Sequence, residues 1–181
     1  MRTSIRIGFS VLAQAIAVAT LVACGSGSQS PPASVSATPT LSGAAPRIDP
    51  CDFLSPQTLA SEELTVRKSK TYEPIIQYPQ LKYSGCEIAN GSESVGFYLE
   101  ATNMTLEYLA ARSKAQNNTA QDLQVDGKLA VLANSRDYPG QCMLLVKMSD
   151  YGLLFDGSFP NKSCDYAVEL AKKLVPQLEG K

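Results

Sequence analysis

Five cysteines are the residues of this chain best suited to covalent chemistry, and no histidine stands beside any of them, because the sequence contains none. Cys51, Cys86, Cys142 and Cys164 lie far apart, without the C-x-x-C spacing that brings two thiolates onto one zinc ion. With imidazole ligands also missing, no metal and no cofactor is expected. A catalytic thiol needs a neighbouring base to hold it as thiolate, which again points away from reactivity. In an oxidising compartment an even set of four is read as two disulfides. The remaining candidate chemistry is acid/base work by a carboxylate pair such as Asp150 and Asp156, but solvated loop charges are far commoner than catalytic pairs. S-x-x-K, G-x-S-x-G, phosphate-loop and dinucleotide fingerprints do not occur, so the expectation is a protein that is not an enzyme.

The fifth cysteine belongs to a processing signal. Arg2 and Arg6 form a positive start, and Ile7 to Val22 an apolar run broken only by Ser10, Gln14 and Thr20. It ends in Leu21-Val22-Ala23-Cys24-Gly25, which resembles the bacterial lipobox. There, small residues admit the signal peptidase and the thiol takes a diacylglyceryl group. Residues 1–23 are thus expected to be removed as a signal peptide, leaving Cys24 lipidated, with palmitate among the acyl chains. Each buried methylene is worth about 0.8 kcal/mol, so two chains suffice to anchor the protein on the extracytoplasmic face of the cell membrane. Loss of Arg2 and Arg6 lowers the basic residues to 14 against 17 acidic ones, a formal charge of −3. That balance argues against nucleic acid as a partner.

Residues 24–48 are rich in Ser, Pro, Ala, Thr and Gly with Arg47 the only charge, a composition that cannot offset the entropy of ordering. They read as a disordered tether with an r.m.s. span of roughly 27 Å. Residues 49–181 then form a single α+β extracytoplasmic domain.

The elements that must hold the cysteines follow from periodicity. Ser55-Pro56 opens a short helix to about Leu64, and Val66 to Tyr83 reads as a long loop with at most a strand fragment. Ser84–Ala89 and Val95–Ala101 flank Asn90-Gly91 as a hairpin. Thr105–Gln116 carries a helical stripe of Leu106, Leu109, Ala110 and Ser113, and Gln124–Ala133 turns at Asp126-Gly127 as a strand or a pair. A second hairpin of Gln141–Ser149 and Gly152–Phe159, turning at Asp150-Tyr151, sets Cys142, Leu144, Val146 and Met148 opposite Phe159, Gly157, Phe155 and Leu153. Cys142 then stands at the open end of that hairpin, within easy reach of Cys164, and Cys51 with Cys86 follows by elimination. Ser163 caps a last helix whose stripe runs Cys164, Ala167, Val168, Ala171, Leu174, Val175, Leu178, with Pro176 ending or kinking it. The sum is one antiparallel sheet with helices packed on it and two disulfides.

Binding leaves weaker traces than catalysis. Two loops combine the residue types enriched at interfaces: Tyr72, Tyr78 and Tyr83 among prolines, and Arg136 with Tyr138 just before Cys142. Tyr72, Tyr78, Arg136 and Tyr138 are therefore the candidate binding residues. The expected role is an envelope binding or interaction module that engages a cell-wall component, a small apolar ligand or another envelope protein. The alternatives are an accessory lipoprotein without a pocket and, more remotely, a cell-wall hydrolase. A pocket favours the first, a filled interior the second, and clustered carboxylates of raised pKa the third.

Three motifs occur in order behind the lipobox and tether: Asp49-Pro50-Cys51-Asp52-Phe53-Leu54-Ser55-Pro56, then Ser84-Gly85-Cys86, then Cys164-Asp165-Tyr166-Ala167. Together they resemble the actinobacterial "DPC" lipoproteins, a family of unknown function. That family often has Trp two residues after the second cysteine, where this chain has Ile88. The resemblance implies, at the level of fold alone, a likeness to photosystem II PsbP-like proteins and mycobacterial kinase sensor domains.

Overall fold

The computed structural model describes residues 40–43, 46, 48–71, 80–91, 95–159 and 163–180, of which 68–71 by backbone alone. Residues 37–181 make up one compact unit. Seven strands, β1 (Leu64–Thr71), β2 (Tyr83–Asn90), β3 (Gly96–Thr102), β4 (Thr119–Val125), β5 (Lys128–Asn134), β6 (Gln141–Lys147) and β7 (Gly152–Ser158), form one sheet in the order β1-β2-β3-β7-β6-β5-β4. Every neighbouring pair is antiparallel. Three helices, α1 (Pro56–Ser61), α2 (Leu106–Ala115) and α3 (Cys164–Leu174), pack on it, with 3-10 turns at Pro50–Phe53 and Val175–Leu178.

Local chemistry explains where these elements begin and end. Ser55, Thr105 and Ser163 each cap a helix by accepting from the backbone N–H of Thr58, Tyr108 and Asp165. α2 stops at Asn117, whose φ of 58° is a left-handed turn that asparagine tolerates. Asp126 and Gly127, at φ 50° and 75°, give the two-residue turn that joins β4 to β5 with the twist a tight hairpin needs.

The sheet has two covered faces. On the first, Cys86, Ile88, Phe97, Leu99, Leu144, Val146, Leu153 and Phe155 meet α3 and the 3-10 turns in the larger core. Phe97 stacks on Phe155 at 6.1 Å between ring centroids and leans on Phe159 at 5.9 Å, contacts worth about 0.5–1.5 kcal/mol each beyond area burial. On the second face α2 lies across β4, β5 and β6, where Leu109 meets Val131, Ala133, Leu145 and Leu154. The two halves of the sheet join through β3 and β7, with Phe97 opposite Gly157 and Leu99 opposite Phe155. A Cβ on Gly157 would stand 2.3 Å from that of Phe97, so only glycine lets the strands close there.

Both disulfides form as expected. Cys142 joins Cys164, with Cα atoms 5.7 Å apart, and Cys51 joins Cys86 at 6.1 Å. The first ties the start of β6 to the first turn of α3; the second ties the Pro50–Phe53 turn to the centre of β2.

Two local expectations are corrected. The supposed loop from Val66 opens as an eight-residue strand, β1, which pairs with β2 through a bulge between Val66 and Lys68. The second hairpin keeps its faces but shifts its register by two residues: Cys142 opposes Gly157, Leu144 opposes Phe155 and Val146 opposes Leu153. A two-residue turn at Asp150-Tyr151 would need left-handed backbone, which neither residue adopts. The strands end instead at Lys147 and Gly152, and Met148 N–H donates to Tyr151 O at 3.0 Å across a four-residue loop.

Candidate functional site

The second face of the sheet is only partly covered, and a cleft opens where α2 stops. Side chains alternate along a strand, so the register decides which ones share this face. One row runs across four strands, from Ala133 on β5 through Met143 on β6 and Asp156 on β7 to Tyr98 on β3. The next row sets Leu154 beside Glu100, and Tyr83 on β2 adds a second ring. From above, α2 contributes Arg112 and Gln116, which its i, i+4 spacing puts on one side of the helix. The chain then turns through Asn117, so that Asn118, Ser135 from the β5–β6 connection and Gln141 at the start of β6 close the end. The enclosed volume is about 380 Å³, inside the range of about 300–1,000 Å³ typical of small-molecule sites.

Its electrostatics are uncommon for a sheet surface. Glu100 is only 5 % exposed although it sits mid-strand, and such burial of a carboxylate is costly unless charge and hydrogen bonds compensate it. Burial pushes the Asp156 carboxyl above the usual aspartate range, against the opposing pull of Arg112. Burial likewise drives the Tyr83 phenol up to about 12; its hydrogen bond and charge interaction with Arg112 offset part of this, while Glu100 and Asp156 add to it. Four ionisable groups from β2, β3, β7 and α2 thus feel one another inside one concavity. Clusters of perturbed groups in a cleft are the physical mark of functional sites, although ion pairs that serve structure alone also produce them.

Two other concavities lie elsewhere on the domain. A cavity of about 190 Å³ lies between the start of α2 and the β6–β7 loop, with Met104, Leu106, Leu129 and Met148 among its walls. An open apolar groove runs between α1 and β1 along Leu59, Leu64 and Val66.

The residues singled out in sequence fare unevenly. Tyr72 and Tyr78 lie outside the described residues. Arg136 and Tyr138 are exposed, the latter by 69 %, on the β5–β6 connection that supplies Ser135 to the cleft, without themselves lining it. Arg136 Nη1 donates to Asn117 Oδ1 at 3.2 Å, and Tyr138 N–H donates to Ser135 Oγ at 3.1 Å, so both brace the rim. Asp150 and Asp156 do not form a pair. Asp150 is exposed in the β6–β7 loop, and the strand from Gly152 to Asp156 alone spans about 13 Å. Glu100, Arg112 and Tyr98 escaped notice, because each is one polar residue in a segment whose apolar positions had already defined a strand or helix. The available signal was Tyr98 and Glu100 alternating with Phe97 and Leu99, on a sheet whose second face a helix must also cover.

Among the described residues no group of His, Cys, Asp and Glu is placed to hold a metal ion, and no helix is long and apolar enough to cross a membrane. Residues 19–177 match the model of a family described as a protein of unknown function (DUF3558). No curated protein and no solved structure matches the chain.

Proposed function

We propose, for a chain that belongs to the DUF3558 family of proteins of unknown function, the role of a lipid-anchored binding module of the bacterial cell envelope. The observation that carries the binding half is the cleft under the end of α2, which combines ligand-sized volume with buried carboxylates, a guanidinium and two tyrosine rings. A protein serving only as a structural spacer has no use for a buried glutamate on a sheet face that could have been filled with leucine. The anchoring half is supported by Arg2, Arg6, the apolar run and Leu21-Val22-Ala23-Cys24, of which the last four residues lie inside the family match. Two disulfides fit an oxidising compartment. The partner of the cleft is a polar component of the cell wall, in preference to a small apolar ligand, because its most buried functional groups are charged.

A second reading, a wall hydrolase, has one specific observation in its favour. Glu100 and Asp156 occupy diagonal positions on adjacent strands, a spacing of about 7–8 Å, with one carboxyl of raised pKa. Two carboxyl groups, one of raised pKa, are the residue types of a glycosidic acid and base. Arg112 argues for binding instead, since its charge opposes the rise in the pKa of Asp156 that a general acid requires.

Two experiments separate these claims. The Cys24→Ala chain should accumulate as an uncleaved precursor without labelling by radioactive palmitate, and normal processing would defeat the anchor. The purified native chain should retain fragments from a digest of its own organism's cell wall and release them unaltered, whereas Tyr98→Ala should retain none. Release of shortened fragments would make the hydrolase the better reading.

A further inference from the structure

We infer that the start of α2, with the ends of β5 and β6 below it, is the face on which this domain rests against the acyl chains of its membrane; this rests on the anchoring half of the function proposed above. The first observation is where the N-terminal segment joins the fold. Thr105, the N-cap of α2, donates its hydroxyl to Thr40 O at 2.9 Å. Ser42 donates its backbone N–H and its hydroxyl to Asn103 O, at 3.0 and 3.1 Å. Leu41, between them, packs on the core beneath α2. Asn103 is 2 % exposed, and its side chain accepts from Lys82 N–H and donates to Gln80 O, so the point of attachment is itself held from two sides. The domain therefore hangs from the first turn of α2. Only residues 25–39 separate that point from Cys24, a reach of at most about 55 Å at full extension.

The second observation is what surrounds that point. Leu129 is 55 % exposed, more than any other large aliphatic side chain among the described residues. It lines the cavity of about 190 Å³ whose other apolar walls are Met104, Leu106, Leu145 and Met148, and Ser42 lines the same cavity, so the attachment and the recess are one place. Methionine side chains adapt to irregular apolar shapes, which suits a fluid partner. The described residues of the rim carry charges of both signs, Lys147 with Glu107 and Asp150, so the attraction is burial of apolar surface and not a pull on anionic headgroups. One exposed leucine and a recess give a weak contact. A weak contact suffices, because the tether makes it intramolecular and keeps the lipid at high effective concentration.

The opposite end of the sheet is then turned away from the lipid. β5 climbs from Leu129 to Asn134 at about 3.4 Å per residue, which sets the β5–β6 connection about 17 Å from Leu129. That connection carries the exposed Tyr138 and supplies Ser135 to the cleft, so resting on the α2 start holds this end of the cleft toward the wall.

The chain has no tryptophan, so one introduced indole reports its own surroundings. The test places Leu129→Trp, Lys147→Trp and, for the far end, Tyr138→Trp singly in the full lipidated chain on phosphatidylcholine vesicles whose acyl chains carry bromine, a contact quencher of indole fluorescence. Leu129→Trp and Lys147→Trp should each be quenched at least about threefold more than Tyr138→Trp, with or without added phosphatidylglycerol. The second variant keeps the test decisive should the first fail to fold. Equal quenching at the two ends means that the domain turns freely on its tether and overturns the inference. Quenching that needs phosphatidylglycerol overturns its apolar basis. Blue-shifted emission from Leu129→Trp without quenching means that a second copy of the chain covers this face, and overturns it too. Chains that do not float with the vesicles overturn the anchor along with the contact, whereas chains that float without a difference between the ends overturn the contact alone.

Discussion

Removing the Cys142–Cys164 bridge while keeping Cys51–Cys86 tests whether the fold depends on its staples or merely contains them. The bridge closes 22 residues of chain, from the start of β6 through β7 to α3. In the chain-entropy account a loop of that length restricts the unfolded state by about 3.4 kcal/mol at 25 °C. Cys142 is buried, so alanine at that position also leaves a small gap beside Phe159 and adds to the loss. The Cys142→Ala/Cys164→Ala chain should therefore lose about 3–4 kcal/mol in urea unfolding. With an unfolding entropy of about 2.1 cal/mol/K per residue, that corresponds to a fall of roughly 11–14 °C in the melting temperature of a domain this size. Intact pairing of the other bridge is verified by peptide mapping without reductant. A loss below about 1 kcal/mol would refute the reasoning, because it would mean that packing of α3 on β6 already holds the two ends together in the denatured ensemble as well as the native one.

Other expectations follow from single groups. Gly157→Ala should destabilise by about 2–3 kcal/mol or prevent folding, since the new methyl would meet the Phe97 Cβ at 2.3 Å and the Gly96 carbonyl at 2.5 Å; native-like urea unfolding would mean that β3 and β7 can part without cost. Tyr151 is buried and its hydroxyl has no hydrogen-bond partner among the described residues, so Tyr151→Phe should be neutral or stabilise by about 1 kcal/mol, and a clear loss would reveal a partner. Asp156 has a raised pKa in the folded state, so its neutral form favours folding; this contribution is full below the ordinary value of 3.8 and is lost as pH rises through the raised one. Asp156→Asn should accordingly be more stable than the native chain at neutral pH, with the difference closing in acid. Tyr83 follows the same sign at the alkaline end: its contribution is present below 10.0 and lost as pH rises through about 12, and Tyr83, with Tyr151 also raised by burial, should ionise late in a phenolate absorbance titration.

How far the sequence reaches depends on what each pattern encodes. Alternation in Cys142, Leu144 and Val146 identifies the buried face, and with it the strand and its hairpin partner, because a slip of one residue would turn that face outward. A slip of two leaves every residue on its own side, so alternation is blind to it; the shift seen between β6 and β7 is of this kind and was decided by backbone the turn could adopt. β1 went unread because it is an edge strand in which Thr65, Val66 and Arg67 are all exposed and a bulge breaks the alternation. Helix caps, the stripe of α3 and the Cys142–Cys164 pair were legible since each is set by residues close in sequence or by a chain too short to reach elsewhere, and Cys51–Cys86 followed by elimination. The join of β3 to β7 was not, because it brings together segments some fifty residues apart with no local signature beyond Gly157. The cleft was missed for the same reason, as its ionisable groups come singly from β2, β3, α2 and β7, and only the sheet order makes them neighbours.

The most direct test of the cleft as a binding site is native mass spectrometry of the chain purified from its own host, beside Met143→Trp, which would fill the floor of the cavity between Ala133 and Asp156. The native chain should carry a polar bound species through purification that Met143→Trp lacks while both keep their two disulfides. The same bound species on both chains, at equal occupancy, would contradict it.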